Sequence, residues 1–256
     1  MIQEQLEVCV NVEIAKDTFE MKLKGEMEQL VDQPGRFIHI KIGDGSFHML
    51  RRPISIADVD KENHTITLVY KVTGKGTEWL SERVAGDKVD ALGPGGQGFE
   101  ITEVKNEKIL VIGGGVGVPP LYHLTKELVE NNDVTVILGF QSKEAVFYEK
   151  EFNQFGDRVQ TLVVTDDGSY GEKGLVTDIA SEFSQDSTRY FTCGPLPMLK
   201  AVKNQLVEIP GHISLEERMG CGIGACFACV CHSTNESGYV KVCKDGPVFS
   251  SNEVIL

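Results

Sequence analysis

The chain is short of positive charge. Its 25 Lys and Arg stand against 38 Asp and Glu, which leaves 25 − 38 = −13 at neutral pH. Nucleic-acid backbones are held by clustered Lys and Arg, so this balance argues against nucleic acid as the main partner. No apolar run approaches the ~18 residues that cross a bilayer. The opening Met1-Ile2-Gln3-Glu4-Gln5 lacks the basic-then-apolar pattern of a secretory signal. These absences point to a cytoplasmic protein with no membrane attachment, in a compartment where thiols stay reduced. Internal repeats and low-complexity segments are missing too, which removes solenoids and disordered tails from consideration.

What is present is ordinary globular composition, 41% hydrophobic and 25% charged over 256 residues, enough for two domains or slightly more. The cysteines are distributed unevenly. Five of the seven (Cys221, Cys226, Cys229, Cys231 and Cys243) fall in the last 36 residues. An odd number crowded at one end of a cytoplasmic chain is a poor disulfide framework and a good metal or cluster framework.

Three regions follow from patterning. Residues 1–101 alternate short strands with Gly, Pro and Asp turns: Glu7–Val12, Phe37–Ile42 and Thr65–Tyr70 have strand length and pattern, and one helical stretch runs from Thr77 to Arg83. That spacing predicts a small antiparallel β-barrel. Residues 102–211 alternate apolar strands (Lys108–Ile112, Val134–Gly139, Val159–Thr165, Arg189–Cys193) with helical segments, which predicts an α/β domain with a doubly wound parallel sheet. Residues 212–256 are rich in Cys and Gly and too short for an apolar core of their own.

The spacing Cys221-x4-Cys226-x2-Cys229, with Cys243 following after thirteen intervening residues, matches the plant-type pattern of a 2Fe–2S cluster. A chain must wrap closely around a compact inorganic core, and Gly220, Gly222 and Gly224 allow that approach. Zinc is the alternative tetrathiolate occupant, although its sites more often show two short Cys pairs. Cys231 is a rival ligand, read here as a packed or free thiol. Gly113-Gly114-Gly115-Val116-Gly117-Val118-Pro119-Pro120 joins a buried strand to a helix, a context that suits a dinucleotide pyrophosphate and equally suits a plain tight turn. Cys193, in Thr192-Cys193-Gly194-Pro195, ends the fourth strand, where open α/β sheets bind ligands; taken alone it reads as a small buried hydrophobe.

A barrel, a dinucleotide fold with this Gly-rich turn, and then Cys-Gly-Pro resemble the ferredoxin–NADP reductase superfamily. The flavin motif of that family, Arg-x-(Tyr/Phe/Ile)-Ser, stands here as Arg52-Pro53-Ile54-Ser55. With Leu50-Arg51-Arg52-Pro53-Ile54-Ser55-Ile56, Asp166–Gly171 and the terminal cysteines, the whole chain is similar to the electron-transfer subunits of type B dihydroorotate dehydrogenases. The resemblance implies FAD in the barrel, NAD in the α/β domain and the cluster in the tail. It implies Arg52 on the FAD diphosphate, Ser55 near flavin N5 with Pro53 and Ile54 between them, and Val69, Tyr70 and Lys71 lining the flavin. It further implies Gly76 and Thr77 offering amides to the diphosphate, Gly113, Gly115 and Gly117 at the NAD pyrophosphate, and Cys193 beside the nicotinamide. Cys221, Cys226, Cys229 and Cys243 would be the metal ligands. After the second strand, Gln141-Ser142-Lys143 shows no Arg for a 2′-phosphate, which favours NAD over NADP.

The implied partner is an FMN-containing catalytic subunit in a heterotetramer of two of each. Its electrons would pass through 2Fe–2S and FAD to NAD⁺ in pyrimidine biosynthesis, with an apolar patch at Cys226–Cys229 covered by that partner. Related modules serve NAD-linked ferredoxin oxidoreductases, sulfide dehydrogenases and some hydrogenases. A reading from another class is a zinc-binding interaction module on a nucleotide-sensing fold.

Overall fold

The computed structural model describes residues 1–45 and 48–256. Six antiparallel strands form the first unit: β1 (Ile2–Ala15), β2 (Thr18–Lys24), β3 (Phe37–Ile40), β4 (Arg52–Asp60), β5 (Thr65–Lys71) and β6 (Lys88–Gly95). They close into a barrel in the order β1-β2-β5-β4-β3-β6. Alternation fills it: Ile38 and Ile40 of β3, Leu68 and Tyr70 of β5, and Leu6, Val8, Met21 and Leu23 of the first hairpin share one buried core. The residues between them do not all reach water. Phe37, His39 and Val69 are also buried, under later parts of the chain. A short helix, α1 (Lys75–Ser81), follows β5. Asn11 of β1 ties down its C-terminal end by donating to the carbonyls of Leu80, Ser81 and Arg83 at 2.9, 3.3 and 2.8 Å.

The second unit alternates β7 (Lys108–Gly114), α2 (Val118–Leu128), β8 (Asp133–Phe140), α3 (Glu149–Asn153), β9 (Val159–Thr165), β10 (Glu172–Lys173), α4 (Val176–Phe183), β11 (Arg189–Cys193), α5 (Leu196–Gln205) and β12 (Gly211–Ser214). The four long runs expected from sequence are its central strands. The tail adds β13 (Val230–Ser233), β14 (Tyr239–Lys241), β15 (Val248–Ser250) and β16 (Val254–Ile255). The large sheet runs β10-β9-β8-β7-β11-β12-β15, parallel except at β15. Strand order therefore reverses between β7 and β11, which opens a crevice at their C-terminal ends.

The tail does not form a free-standing module. β12 and β15 extend the large sheet, while β14, β13 and β16 make a small sheet beside it. Val240, Val242, Val254, Cys229 and Cys243 join the same apolar cluster as Leu110, Ile112, Ile213 and Phe249. The core that the tail lacks by itself is borrowed. Its return strand is also fastened to the end of the barrel, where the Gln97 amide donates to the Gly246 carbonyl and the Val248 amide to the Gln97 carbonyl.

Barrel and sheet meet through side chains as well. Lys126 of α2 donates to Asp58 of β4 at 2.8 Å, and Tyr148 donates to Glu20 of β2 at 2.7 Å. Among the described residues no helix is long and apolar enough to cross a membrane.

Candidate functional site

The crevice at the sheet's reversal point is a cleft of about 690 Å³. Its floor is made by two turns pressed together. At Gly117, a Cβ would lie 2.3 Å from the Cys193 carbonyl, so only glycine allows the turn after β7 to seat on the turn after β11. Pro119 and Pro120 then open α2, where a missing N–H costs nothing. Gly115 and Gly117 line the cleft with Gly114, Gly194 and Pro195. Gly113 does not. It lies within β7 beneath Val118 and Leu121 and is a packing residue.

Cys193 is fully buried under this floor. Burial pushes its thiol far above the ordinary range, the nearby Glu216 charge adds to that, and Ser214 and the Gly194 amide oppose it only in part. The sulfur is a neutral, packed atom. Glu216 itself borders the cleft, a residue that sequence reading passed over. Desolvation in the crowded crevice pushes its carboxyl up to about 6, although the residue still reaches water through the open mouth. The missed signal was positional. Glu216 follows β12, a parallel neighbour of β11, and so sits where ligands meet strand ends.

Asp166, the residue after β9, also borders the cleft. Asp167 does behave as a loop residue, exposed and accepting from the Ser169 amide and hydroxyl at 2.9 and 2.6 Å. Those donors hold it below the usual carboxylate range.

The Arg52-Pro53-Ile54-Ser55 run opens β4, paired with Ile40, His39, Ile38 and Phe37 of β3. Adjacent arginines divide the work. Arg51 is spent inward, paired with Asp90 and donating to the carbonyls of His39 and Asp90 at 3.3 and 3.0 Å. Among the described residues Arg52 is held by one bond, to the Leu50 carbonyl at 2.7 Å, and lays its guanidinium against Gly76. A Cβ at Gly76 would stand 2.6 Å from Arg52 Nε. The structure thus brings together the motif arginine and the loop before α1, which are 24 positions apart in sequence, and leaves the guanidinium most of its donors for an anion.

The β5 trio splits by alternation. Tyr70 points into the barrel and donates to Asn11 Oδ1 at 2.9 Å, with burial raising its phenol above the ordinary value. Val69 faces the interdomain core, and Lys71 lines the cleft beside Gly114 and Gly115. Only Lys71 presents its side chain to open space. The Thr77 hydroxyl is occupied locally, accepting from the Thr73 and Gly74 amides and donating to the Gly74 carbonyl.

In the tail, the four spaced cysteines gather: Cys221 interacts side chain to side chain with Cys226, Cys243 does so with Cys229, and Cys221 also acts electrostatically on Cys243. Amides already address the sulfurs. Cys226 N–H donates to Cys221 Sγ at 3.3 Å and Gly224 N–H to Cys243 Sγ at 3.2 Å. Burial pushes Cys221 up, but the surrounding amide donors outweigh it and bring the thiol down to about 6. Burial and the neighbouring Cys229 push Cys243 up to about 12.

Two thiolates for each of two irons is the demand of a binuclear cluster, whereas zinc takes four ligands on one ion. The donor set fits 2Fe–2S. Cys231 stands apart on β13, packed against the sheet's apolar cluster, with burial raising its thiol to about 11. Beside the loop, Phe227 is 62% and Ile223 54% exposed. The Phe227 ring packs on Tyr239 at 5.7 Å, with the Lys241 ammonium 4.2 Å over its face.

Comparison with known proteins agrees with this layout. A family model described as the oxidoreductase NAD-binding domain matches residues 111–204. A second, the iron-sulfur cluster binding domain of dihydroorotate dehydrogenase B, matches residues 216–255. The chain is 48% identical to the dihydroorotate dehydrogenase B (NAD(+)), electron transfer subunit, of Shouchella clausii (strain KSM-K16), over 99% of this chain and 98% of that one. The protein of the same name from Bacillus cereus (strain AH187) is 49% identical over the whole of both chains. Among solved structures, a chain of an NADH-dependent reduced ferredoxin-NADP oxidoreductase superposes with a TM-score of 0.86 at 31% identity, covering 98% of this chain and 90% of that one. Ferredoxin-NADP⁺ reductase from Plasmodium falciparum shares the fold alone, with a TM-score of 0.66 at 12% identity over 80% and 91% of the two chains.

Proposed function

The chain belongs to the family of dihydroorotate dehydrogenase B electron-transfer subunits, and from that premise we propose which of its residues carry each stage of the path. It is an NAD-linked oxidoreductase subunit that works with FAD, a 2Fe–2S cluster and a dehydrogenase partner. When bound, the flavin exchanges a hydride with NAD and single electrons with the cluster.

Arg52 holds the FAD diphosphate in the space it shares with Gly76, since a planar guanidinium matches phosphate geometry. Pro53, Ile54 and Ser55 continue along the flavin, the serine hydroxyl able to donate or accept at a ring nitrogen. Val69, Tyr70 and Thr77 contribute backbone, because their side chains are committed elsewhere. Lys71 stands where barrel and cleft meet, positioned for both nucleotides. Gly115 and Gly117 receive the NAD pyrophosphate at the start of α2, and Gly113 keeps the turn tight. Cys193, neutral and packed, shapes the floor beneath the nicotinamide and is not a nucleophile. Cys221, Cys226, Cys229 and Cys243 are the cluster ligands.

The partner, on this reading, is an FMN-containing dihydroorotate dehydrogenase subunit in a complex of two chains of each kind, in the cytoplasm. It covers Ile223 and Phe227, apolar groups too large to leave in water beside a redox centre. The observation that carries the proposal is the gathering of the four spaced thiols in one segment with backbone amides directed at their sulfurs. The test is co-expression with the dehydrogenase subunit, followed by dihydroorotate-dependent NAD⁺ reduction and iron analysis for each terminal cysteine changed to serine. Loss of iron and turnover in the four proposed ligands, with both retained in Cys231→Ser, is the expected pattern. Iron retained in all five variants would overturn it.

A further inference from the structure

β3 sends Ile38 and Ile40 into the barrel and turns Phe37 and His39 outward. The outward face is covered by the residues that lead into the cysteine loop, and His39 is left only 1% exposed. Its Nε2 lies 3.2 Å from Met219 Sδ. A thioether has no proton to give, so Nε2 is the donor in that contact. In the neutral ring Nδ1 is then a bare lone pair, and among the described residues it has no hydrogen-bond partner.

The ring fills the space at Gly222. A Cβ there would fall 2.4 Å from Cε1 and 2.5 Å from Nδ1, and the residue has φ +70°. Through its backbone the same histidine is bound to the flavin strand. It pairs with Pro53 in the β3–β4 ladder, and its carbonyl accepts from Arg51. One residue thus touches the cysteine loop with its side chain and the Arg52–Ser55 strand with its main chain.

We propose that His39 is a positioning residue for the cluster, seating the Cys221–Gly224 loop against the flavin strand and reserving Nδ1 for a backbone N–H of that loop when the cluster is in place. The inference rests on the flavin and cluster assignments above. Amide is the donor chemistry a bare imidazole nitrogen requires, and the loop on that side is glycine backbone. Burial, aided by the Arg51 charge, brings the imidazole down to about 4, which keeps it neutral and an acceptor. An amide directed to His39 is one not directed to sulfur, and hydrogen bonds to sulfur help set the potential of such a cluster.

The test compares wild-type, His39→Leu and His39→Gln complexes, with iron and FAD measured in the same samples. Expected for His39→Leu are altered g-values of the reduced cluster and an at least threefold displacement of its one-electron equilibrium with a mediator dye. His39→Gln, which restores an acceptor, should recover part of the shift. A double-mutant cycle of His39→Ala with Gly222→Ala reads the contact directly, because the cost of a non-glycine at φ +70° is present in both backgrounds and cancels. The half-life of iron loss in air should fall less when Gly222→Ala is added to His39→Ala than when it is added to wild type. Native g-values and potential in iron-replete His39→Leu, or strict additivity in the cycle, overturns the proposal. If His39→Leu does not fold, the glutamine variant and the cycle decide. A wild-type complex without iron overturns the cluster assignment instead, and elemental analysis separates that case.

Discussion

The barrel and the cysteine segment hold their redox groups by opposite means. The barrel has its own apolar core, from Leu6 and Val8 through Ile38, Ile40 and Leu68, and its proposed site is a rim feature in which one arginine faces one glycine. The cysteine segment borrows its core from the large sheet. Its loop is shaped by glycines at positive φ, by amides directed at sulfur, and by a Lys241 ammonium bonded to the Gly224 carbonyl at 2.7 Å. A site on a finished scaffold can lose its ligand and keep its shape. A site whose scaffold is backbone and thiols takes much of its order from the metal.

The largest effect expected from this contrast is at Cys229, a buried proposed ligand. Cys229→Ser should abolish iron binding and lower dihydroorotate-dependent NAD⁺ reduction by at least ~100-fold. FAD should stay bound and the melting of the barrel should be nearly unchanged, as followed by flavin fluorescence during heating. A variant that sheds FAD together with iron would show that the two regions are one cooperative unit and break the comparison. Next in size is Arg52→Ala, which should weaken FAD about 10–100-fold, the worth of a charge-assisted contact of ~1.5–3 kcal/mol, while iron content holds. Arg51→Ala sharpens the point. It removes an ion pair and two carbonyl contacts from the barrel, so it should lower the unfolding midpoint more than it lowers FAD affinity.

How much of this was legible in the sequence also differs by region. Runs that bury both faces, such as Lys108–Ile112 and Val134–Gly139, announce themselves by continuous apolar residues. β12 and β15, of four and three residues, do not, since they exist by pairing with neighbours rather than by any pattern of their own. Missing β12 hid Glu216, whose place at a strand end is the whole of its signal. The proposed cysteine ligands stand out in the sequence because a compact cluster constrains spacing directly. Arg51 and Arg52 are the same residue type side by side; the motif singles out Arg52, and the fold adds why its neighbour does not compete, since Arg51 is taken up by Asp90. In Ile66–Tyr70 every residue but Thr67 is apolar, so no alternation told which side chains face inward; Tyr70 proved to be a barrel residue.

Two residues of the cleft refine the comparison at smaller amplitude. Asp166 follows a sheet strand and places a carboxylate on the cleft wall beside Gln141, the segment whose sequence offers no Arg for a 2′-phosphate. Asp166→Ser should therefore improve NADPH use relative to NADH by about tenfold, with repulsion as the element removed. The kcat/KM ratio for the two coenzymes checks it, and an unchanged ratio would assign the preference elsewhere.

Glu216 opens the cysteine segment in sequence yet faces the nucleotide cleft in space, so it is where the two modes of construction overlap. Its carboxyl is raised to about 6 from an ordinary value of 4.5 by desolvation. A carboxyl raised in the folded state binds protons more tightly there than in the unfolded chain. The folded state is therefore relatively favoured at low pH and loses that advantage as pH rises from about 4.5 through about 6. Because the residue still reaches solvent, the amplitude is screened to under ~1 kcal/mol. Glu216→Gln should flatten the unfolding midpoint across that window and leave iron content unchanged. If the slope persists in the variant, the titrating group lies elsewhere in the fold.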